Sequence, residues 1–211
     1  MNRLIIFDLD GVLIDSKEIH FLALNYALEN VNKKYLISKE EHLKIYDGLS
    51  TKNKLKILTK EKGLEERYYD KIWQDKQYAT GIALDNLNID KELIDLFKYI
   101  KLNNIFISVA SNSIRFTIES CLRSLGVISF VDYIVSNEDV KFIKPYPEMF
   151  WKSMSNFEAL PINTVIFEDS KHGMVAAKHS GAKLIKIKNR NDLNLKKINM
   201  AIRYLNKDNN D

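Results

Sequence analysis

Cysteine, proline and glycine are scarce in this chain of 211 residues, which contains one, three and seven of them respectively. The single cysteine, Cys121, cannot form an intrachain disulfide, so a reducing compartment is the default expectation. So few glycines and prolines leave little material for long disordered linkers. No apolar run is long enough for a signal-peptide core or a membrane span. We therefore expect a cytoplasmic protein with no membrane partner.

A large excess of one charge is also missing, because 32 Lys and Arg residues stand against 28 Asp and Glu residues, for a net charge of +4. Such a small basic excess attracts anionic partners only weakly. It does not make the basic footprint that nucleic-acid binding requires, so we expect no nucleic-acid partner. The hydrophobic fraction of 45% and the charged fraction of 28% are ordinary for a globular domain.

Short apolar runs that end in polar residues recur along the chain and predict buried parallel strands. The first covers residues 4–7, and similar runs follow at 105–110, 133–135, 164–167 and 184–187. Patterns with helical spacing lie between them, at residues 92–101, 114–125, 148–157 and 174–180. Strands that alternate with helices predict an α/β fold with a doubly wound, Rossmann-like parallel sheet.

Residues 16–79 differ, because they have helical periodicity and no convincing strand. Ser38 and Glu41 have the spacing of a capping box, and Gly63 is a typical helix end. With Gly81 as the expected return point, we predict an all-helical cap of residues 16–79 inserted into a core of residues 1–15 and 80–211. The polar end, residues 206–211, is expected to fray.

Polar side chains that can bind or react stand at or beyond the ends of the predicted strands: Asp8, Asp10, Ser111, Lys144 and Asp169. Ligands of open α/β sheets bind outside the carboxyl ends of the strands, so a parallel sheet would bring these loops to one rim. Gly11 follows directly and permits a sharp turn with a close approach of the backbone to a ligand.

These residue types suit phosphoryl transfer. The Asp8 carboxylate can act as a nucleophile and form an acyl phosphate. Asp10 can protonate the leaving oxygen and then deprotonate the attacking water. Lys144 can neutralise developing charge, and Ser111 at a helix start can bind a phosphate oxygen. Asp8, Asp169 and a backbone carbonyl near Asp10 offer the oxygen ligands that a hard cation such as Mg²⁺ prefers.

The same segments resemble, in order, the four motifs of the haloacid dehalogenase superfamily. Residues 8–15 read Asp-Leu-Asp-Gly-Val-Leu-Ile-Asp, which is similar to DxDGxxxD, the phosphatase form of the first motif. Ser111 is similar to the second motif, a Ser or Thr that ends a strand. Residues 144–150 resemble the third, KPxPxxF, and residues 167–170 resemble the fourth. The resemblance covers nearly the whole chain and implies membership of that superfamily.

For catalysis and metal binding, the resemblance implies that Asp8 is the nucleophile and Asp10 the general acid and base. It implies that Asp8, the Asp10 carbonyl and Asp169 bind magnesium, with Glu168 beside them. Glu168 could bind the metal directly, bind it through a water molecule, or contact its ligands. Alone, Asp8 and Asp10 could equally be a solvated strand end or a helix cap.

For substrate binding, the resemblance implies that Ser111, Asn112 and Lys144 hold the phosphoryl group, with Gly11 beside it. The helical insert resembles the cap of the subgroup that contains phosphoglycolate phosphatase and β-phosphoglucomutase. A histidine at the position of His20 lies near the substrate in that subgroup. A buried structural histidine is the alternative interpretation of His20.

We therefore expect a magnesium-dependent phosphatase that hydrolyses a small phosphate monoester, such as a sugar phosphate, through a phosphoaspartate. The alternative is a β-phosphoglucomutase-like sugar phosphomutase, although those enzymes carry Arg where Thr51 stands and a cap Lys where Gln74 falls. Two further rivals are a dehalogenase and a binding module with a dead site. Dehalogenases do not match this chain at Asp10 or at the metal-binding Asp169. The expected partner is a small phosphorylated metabolite, and the expected state is a monomer or weak dimer.

Overall fold

The computed structural model describes residues 2–207 and divides the chain into two compact units. The first unit is formed by the chain up to Asp15 and again from Asn88 onward, and the second unit is Ser16–Leu87. Among the described helices, none combines the length and the apolar character needed to span a membrane.

The first unit contains a five-stranded sheet in which every pairing is parallel. Its strands are β1 (Leu4–Phe7), β2 (Phe106–Ala110), β3 (Tyr133–Val135), β4 (Thr164–Glu168) and β5 (Lys183–Lys186), in the order β3-β2-β1-β4-β5. The central strand β1 is fully buried, as its unbroken apolar run predicts. The predicted doubly wound α/β sheet is confirmed.

The register of the sheet brings the carboxyl ends of its central strands level with one another. Phe7 pairs with Val109 of β2 on one side and with Phe167 of β4 on the other. Its ring also stacks on the Phe167 ring, with centroids 5.0 Å apart. The polar residues that follow β1, β2 and β4 therefore emerge along one edge of the sheet.

The second unit is helical, and no strand occurs among residues 16–87, all of which the structure describes. Its α-helices are α1 (Lys17–Glu29), α2 (Lys39–Glu41), α3 (Thr51–Lys62) and α4 (Tyr69–Asp85). The predicted capping box is confirmed: Glu41 N donates to Ser38 Oγ at 3.0 Å, and Ser38 N donates to a Glu41 carboxylate oxygen at 2.6 Å. Helix α3 ends at Gly63, whose φ is +66°.

The predicted boundary between residues 79 and 80 falls inside α4, and the second unit extends to Leu87 instead. Gly81, the expected return point, is an interior residue of that helix. A glycine there costs only about 1 kcal/mol relative to alanine. Ile72, Thr80 and Leu84 are buried at helical spacing on both sides of Gly81. Their burial stabilises the helix enough for it to continue past the glycine.

The helices of the first unit are α5 (Lys91–Leu102), α6 (Arg115–Ser124), α7 (Glu148–Asn156), α8 (Lys171–Ser180) and α9 (Leu195–Lys207). The first four match predicted helical segments within a few residues. Helix α9 was not predicted, although its buried residues Ile198, Ala201, Ile202 and Leu205 follow helical spacing. Asn206 and Lys207 are the last two residues of α9, and residues 208–211 lie outside the described part of the chain. The expected fraying stays a prediction.

Candidate active site

Lys144 joins the ends of three strands at the carboxyl edge of the sheet. Its Nζ donates hydrogen bonds to Asp8 Oδ1 at 2.6 Å, to Glu168 Oε2 at 2.8 Å and to the Ala110 carbonyl oxygen at 2.9 Å. These partners end or follow β1, β4 and β2 respectively. An ammonium group has three donors, so this geometry uses all of them. Lys144 is only 5% exposed.

The buried charges perturb one another strongly. Burial is the main reason that the pKa of Asp8 lies well above its ordinary value, and the nearby Glu168 carboxylate raises it further, while Lys144 acts in the opposite direction. Burial alone would lower the pKa of Lys144, but the Asp8 and Glu168 carboxylates together raise it above its ordinary value. Lys144 is therefore a permanent cation, suited to neutralising charge and unsuited to accepting a proton.

Asp8, Glu168 and Asp169 form an acidic cluster. Each offers a carboxylate oxygen, and these three oxygens lie within 4.8 Å of one another. Lys144 supplies a single positive charge against them, so a further cation would relieve their mutual repulsion. Oxygen ligands at this spacing suit a hard divalent cation, and the donor set therefore fits one.

Gly11 provides space for the Asp169 carboxylate. A Cβ at position 11 would lie 2.1 Å from Asp169 Oδ2, and the residue has a φ of +85°. Both features require glycine at this position. The structure therefore places Gly11 beside the acidic cluster, and its predicted contact with substrate stays a prediction.

Both carboxylate oxygens of Glu168 are held by hydrogen bonds. Oε2 accepts from Lys144, and Oε1 accepts from Ser170 Oγ at 2.9 Å and from the backbone N–H groups of Asp169 and Ser170 at 3.2 Å and 3.1 Å. A Cβ at Gly173 would lie 2.0 Å from the Glu168 carboxyl carbon. The Glu168 side chain is fully buried, and these hydrogen bonds and the packing against Gly173 hold its carboxylate in one orientation.

Ser170 also caps helix α8, because its Oγ accepts a hydrogen bond from Gly173 N at 3.0 Å. The same hydroxyl donates to Glu168. The start of α8 and the acidic cluster are thus joined by one side chain, which fixes the loop that carries Asp169.

Asn112 holds the backbone of Lys144. Its Oδ1 accepts from Lys144 N at 3.1 Å, and its Nδ2 donates to the Lys144 carbonyl oxygen at 3.4 Å. Glu148 fixes the approach to the same segment, since its carboxylate accepts from Lys141 N at 2.8 Å and Phe142 N at 2.7 Å. Sequence reasoning missed both supports, because only folding brings these backbone groups within reach.

Ser111 is buried at the end of β2, where its N–H donates to the Val135 carbonyl oxygen at 3.0 Å and its Oγ accepts from Ser113 N at 3.1 Å. The Asp10 side chain, which is partly exposed, accepts a hydrogen bond from Ser113 Oγ at 3.2 Å. Ser113 was not among the predicted site residues. The roles predicted for Ser111 and Asn112 in phosphate binding, and for the Asp10 carbonyl in metal binding, stay predictions.

His20 belongs to helix α1 of the second unit, whereas all the other predicted site residues belong to the first unit. Within the first unit, the structure brings together Asp8, Gly11, Lys144, Glu168 and Asp169, and it joins Asp10 to the loop that follows Ser111.

This protein has a parallel sheet with clustered carboxylates and a buried lysine at its carboxyl edge. These features place it among α/β enzymes with an acidic active site. The chain belongs to the haloacid dehalogenase-like hydrolase family, which matches it over residues 5–187. The predicted family is therefore confirmed.

Relatives with known names support this placement. The chain is 28% identical over 185 residues to a phosphorylated carbohydrates phosphatase of Thermotoga maritima, covering 86% of this chain and 82% of that protein. It is 27% identical over 186 residues to a β-phosphoglucomutase of Bacillus subtilis, covering 85% and 80%.

Solved structures agree on the fold. A β-phosphoglucomutase of Clostridium difficile superposes with a TM-score of 0.80 at 23% identity, covering 96% of this chain and 98% of that one. CbbY of Rhodobacter sphaeroides in complex with phosphate also has a TM-score of 0.80, at 22% identity, covering 88% and 86%. At these identities the similarity demonstrates the fold alone.

Proposed function

We propose that this protein is a magnesium-dependent phosphatase that hydrolyses a small phosphate monoester through a phosphoryl-aspartate on Asp8. The observation that carries the proposal is the buried contact of 2.6 Å between Lys144 Nζ and Asp8 Oδ1, beside Glu168 and Asp169. A carboxylate placed against a permanent cation can approach the phosphorus of an anionic ester that it would otherwise repel. A sugar phosphate is the first candidate substrate, because a named relative is a phosphatase of phosphorylated carbohydrates.

In the first step, an Asp8 carboxylate oxygen forms a bond to phosphorus while the bond from phosphorus to the leaving oxygen breaks. Asp10 transfers its proton to that leaving oxygen. In the second step, water attacks the phosphorus, Asp10 takes a proton from the water, and the bond to Asp8 breaks to release inorganic phosphate. Each proton that leaves Asp10 in the first step is thereby replaced in the second.

Lys144 stays protonated in both steps and stabilises the negative charge shared by Asp8 and the phosphoryl oxygens. Ser111 and Asn112 bind a phosphoryl oxygen. Asp8, Asp169 and the carbonyl of Asp10, with Glu168 beside them, would hold Mg²⁺, which when bound neutralises charge on the phosphoryl group. The cap role predicted for residues 16–79, the contact of His20 with substrate, the monomer or weak dimer and the cytoplasmic location stay predictions.

The test is the replacement Asp8→Asn, assayed for phosphate release from a panel of sugar phosphates and other small phosphate esters with Mg²⁺. The amide keeps the shape of the side chain and removes the nucleophile, so we expect turnover to fall to background. Asp95→Asn, on the exposed face of α5, is the control for loss of a carboxylate and should keep full activity. Normal turnover in Asp8→Asn would end the proposal.

The same assay separates the rivals. A sugar phosphomutase would convert its substrate into an isomer and release little inorganic phosphate, so both products should be measured for each sugar phosphate. A dehalogenase would release no phosphate and needs no magnesium, so phosphate release that depends on magnesium would reject it. A binding module would turn over no ester in the panel.

A further inference from the structure

We infer that Ser113 is a positioning residue that holds the carboxyl group of Asp10 in the orientation required for proton transfer. The inference rests on the proposed function, in which Asp10 is the general acid and base. Its observation is the hydrogen bond of 3.2 Å from Ser113 Oγ to Asp10 Oδ2, which joins the loops after β2 and β1.

The backbone of Ser113 is fixed on both sides. Its N–H donates to Ser111 Oγ at 3.1 Å, and its carbonyl oxygen accepts from Asn137 N at 3.1 Å. Ser111 is in turn tied to Val135 at the end of β3. The Ser113 hydroxyl therefore projects from a rigid support and can orient a neighbour.

The backbone on the Asp10 side is equally constrained. Gly11 N donates to the Ile14 carbonyl oxygen at 2.7 Å, and Asp10 forms an isolated parallel bridge with Ile14. The Asp10 side chain still has two rotatable bonds, and the contact with Ser113 restricts them. A general acid must lie within hydrogen-bond reach of the oxygen that it protonates, so orientation is part of its efficiency.

A hydroxyl is well suited to this task because it can donate a hydrogen bond to one carboxyl oxygen and leave the other one for proton transfer. It donates to Oδ2 when Asp10 is a carboxylate and also when Asp10 is a carboxylic acid that carries its proton on Oδ1. One contact can therefore hold the side chain in both steps, before the proton passes to the leaving oxygen and after it has done so.

The chemical consequence depends on the leaving group. The alkoxide of a sugar is a poor leaving group and needs the proton of Asp10 as its bond to phosphorus breaks. A p-nitrophenolate leaves without that proton. Misplacing Asp10 should therefore slow formation of the phosphoryl-aspartate from an alkyl ester far more than from a nitrophenyl ester.

The experiment compares wild type, Ser113→Ala and Ser113→Thr on the sugar phosphate that wild type hydrolyses fastest, with Mg²⁺, and on p-nitrophenyl phosphate in a stopped-flow burst. For Ser113→Ala we expect kcat on the sugar phosphate to fall about 10-fold with KM nearly unchanged, which is a part of the 10²- to 10⁴-fold that general acid–base catalysis contributes. The burst rate should stay within about threefold of wild type, because that step bypasses the acid. Ser113→Thr keeps the hydroxyl and should restore most of the lost kcat.

Ser155→Ala, on the exposed face of α7, is the matched control and should behave as wild type. Equal losses on both esters, no loss on either, or no rescue by threonine would overturn the inference. If Asp8→Asn is inactive while Ser113→Ala equals wild type, this inference alone fails. If wild type hydrolyses no ester, the proposed function fails and this inference fails with it.

Discussion

Gly11 and Asp169 lie in direct contact at the carboxyl edge of the sheet, with room for no additional atom between them. A Cβ at position 11 would come within 2.1 Å of Asp169 Oδ2 and 2.5 Å of its carboxyl carbon. The φ of +85° independently disfavours any other residue. The turn that follows Asp10 and the position of a proposed metal ligand are therefore determined together.

Replacing Gly11 with alanine should lower turnover about 100-fold, with a modest loss of stability. The new Cβ must displace the Asp169 carboxylate, and a displacement of about 1 Å near the chemistry can cost about 100-fold in rate. Gly63→Ala is the matched control, since Gly63 also has a positive φ, +66°, but nothing lies within 4 Å of its Cβ position. Both variants should lose about 1–2 kcal/mol of unfolding free energy from backbone strain, and only Gly11→Ala should lose turnover in the phosphate-release assay.

Replacing Lys144 with methionine should destabilise the fold and abolish turnover. The change leaves the Asp8 and Glu168 carboxylates buried against each other without their cation, which should cost about 3 kcal/mol of unfolding free energy. Urea denaturation measures that loss. Lys101→Met removes a partly exposed ion pair with Asp132 and should cost less than about 1 kcal/mol.

A second substitution tests whether charge is the cause of that loss. Adding Glu168→Gln to Lys144→Met removes one of the two uncompensated carboxylates, so part of the lost stability should return even though activity does not. A double variant less stable than Lys144→Met would contradict the electrostatic explanation and indicate loss of packing instead.

Magnesium should stabilise the protein against heat, and Asp169→Asn should remove that effect. A ligand present at about 100 times its Kd raises the unfolding free energy by about 2.7 kcal/mol, which a thermal melt detects without any substrate. Sodium chloride at equal ionic strength controls for screening, and Asp95→Asn should keep the full shift. An unchanged shift in Asp169→Asn would remove this residue from the proposed metal site.

The stability of the protein should fall in mildly acidic solution because of His42, which is 1% exposed in the second unit. Burial, helped by the charge of Lys54, lowers the pKa of His42 to about 4 from 6.5. Below about pH 6.5, the unfolded chain therefore binds a proton at His42 that the folded chain does not bind. The contribution of His42 to the unfolding free energy is fully present above that pH and is lost as the pH falls toward 4.

Urea unfolding at pH 7.5 and pH 5.0 measures the effect. We expect His42→Gln to reduce the difference in unfolding free energy between the two pH values by about 1–2 kcal/mol. His179→Gln, at an exposed position of α8, should leave that difference unchanged. An equal pH dependence in wild type and His42→Gln would contradict the assignment.

Much of the architecture follows from local patterns. The run Leu4–Phe7 is apolar throughout because β1 is covered on both faces, and its abrupt end at Asp8 marks the edge where polar groups meet. The alternation of such runs with helical spacing predicts the parallel sheet, and Ser38, Glu41 and Gly63 mark helix ends through local hydrogen bonds and backbone conformation. These signals are short in range, so they can be recognised in sequence.

Local rules failed where tertiary packing outweighed them. Gly81 is a plausible helix break by itself, yet α4 continues through it because its neighbours at helical spacing are buried. The failure at α9 is different, because its apolar stripe of Ile198, Ala201, Ile202 and Leu205 is a local signal for a helix and was overlooked. The helix also contacts α5 through a hydrogen bond of 3.0 Å from Tyr99 Oη to Asn199 Oδ1.

The sequence by itself determined the family and the parallel sheet, and it supplied the candidate site residues, because motif order and hydrophobic period are properties of the chain. Only the tertiary structure decided how those side chains are held: Lys144 between three strand ends, Asn112 on the Lys144 backbone, and Ser113 on Asp10. Ser113 and Asp10 are far apart in the chain, and no local rule specifies a hydrogen bond that exists only after the sheet has aligned their loops.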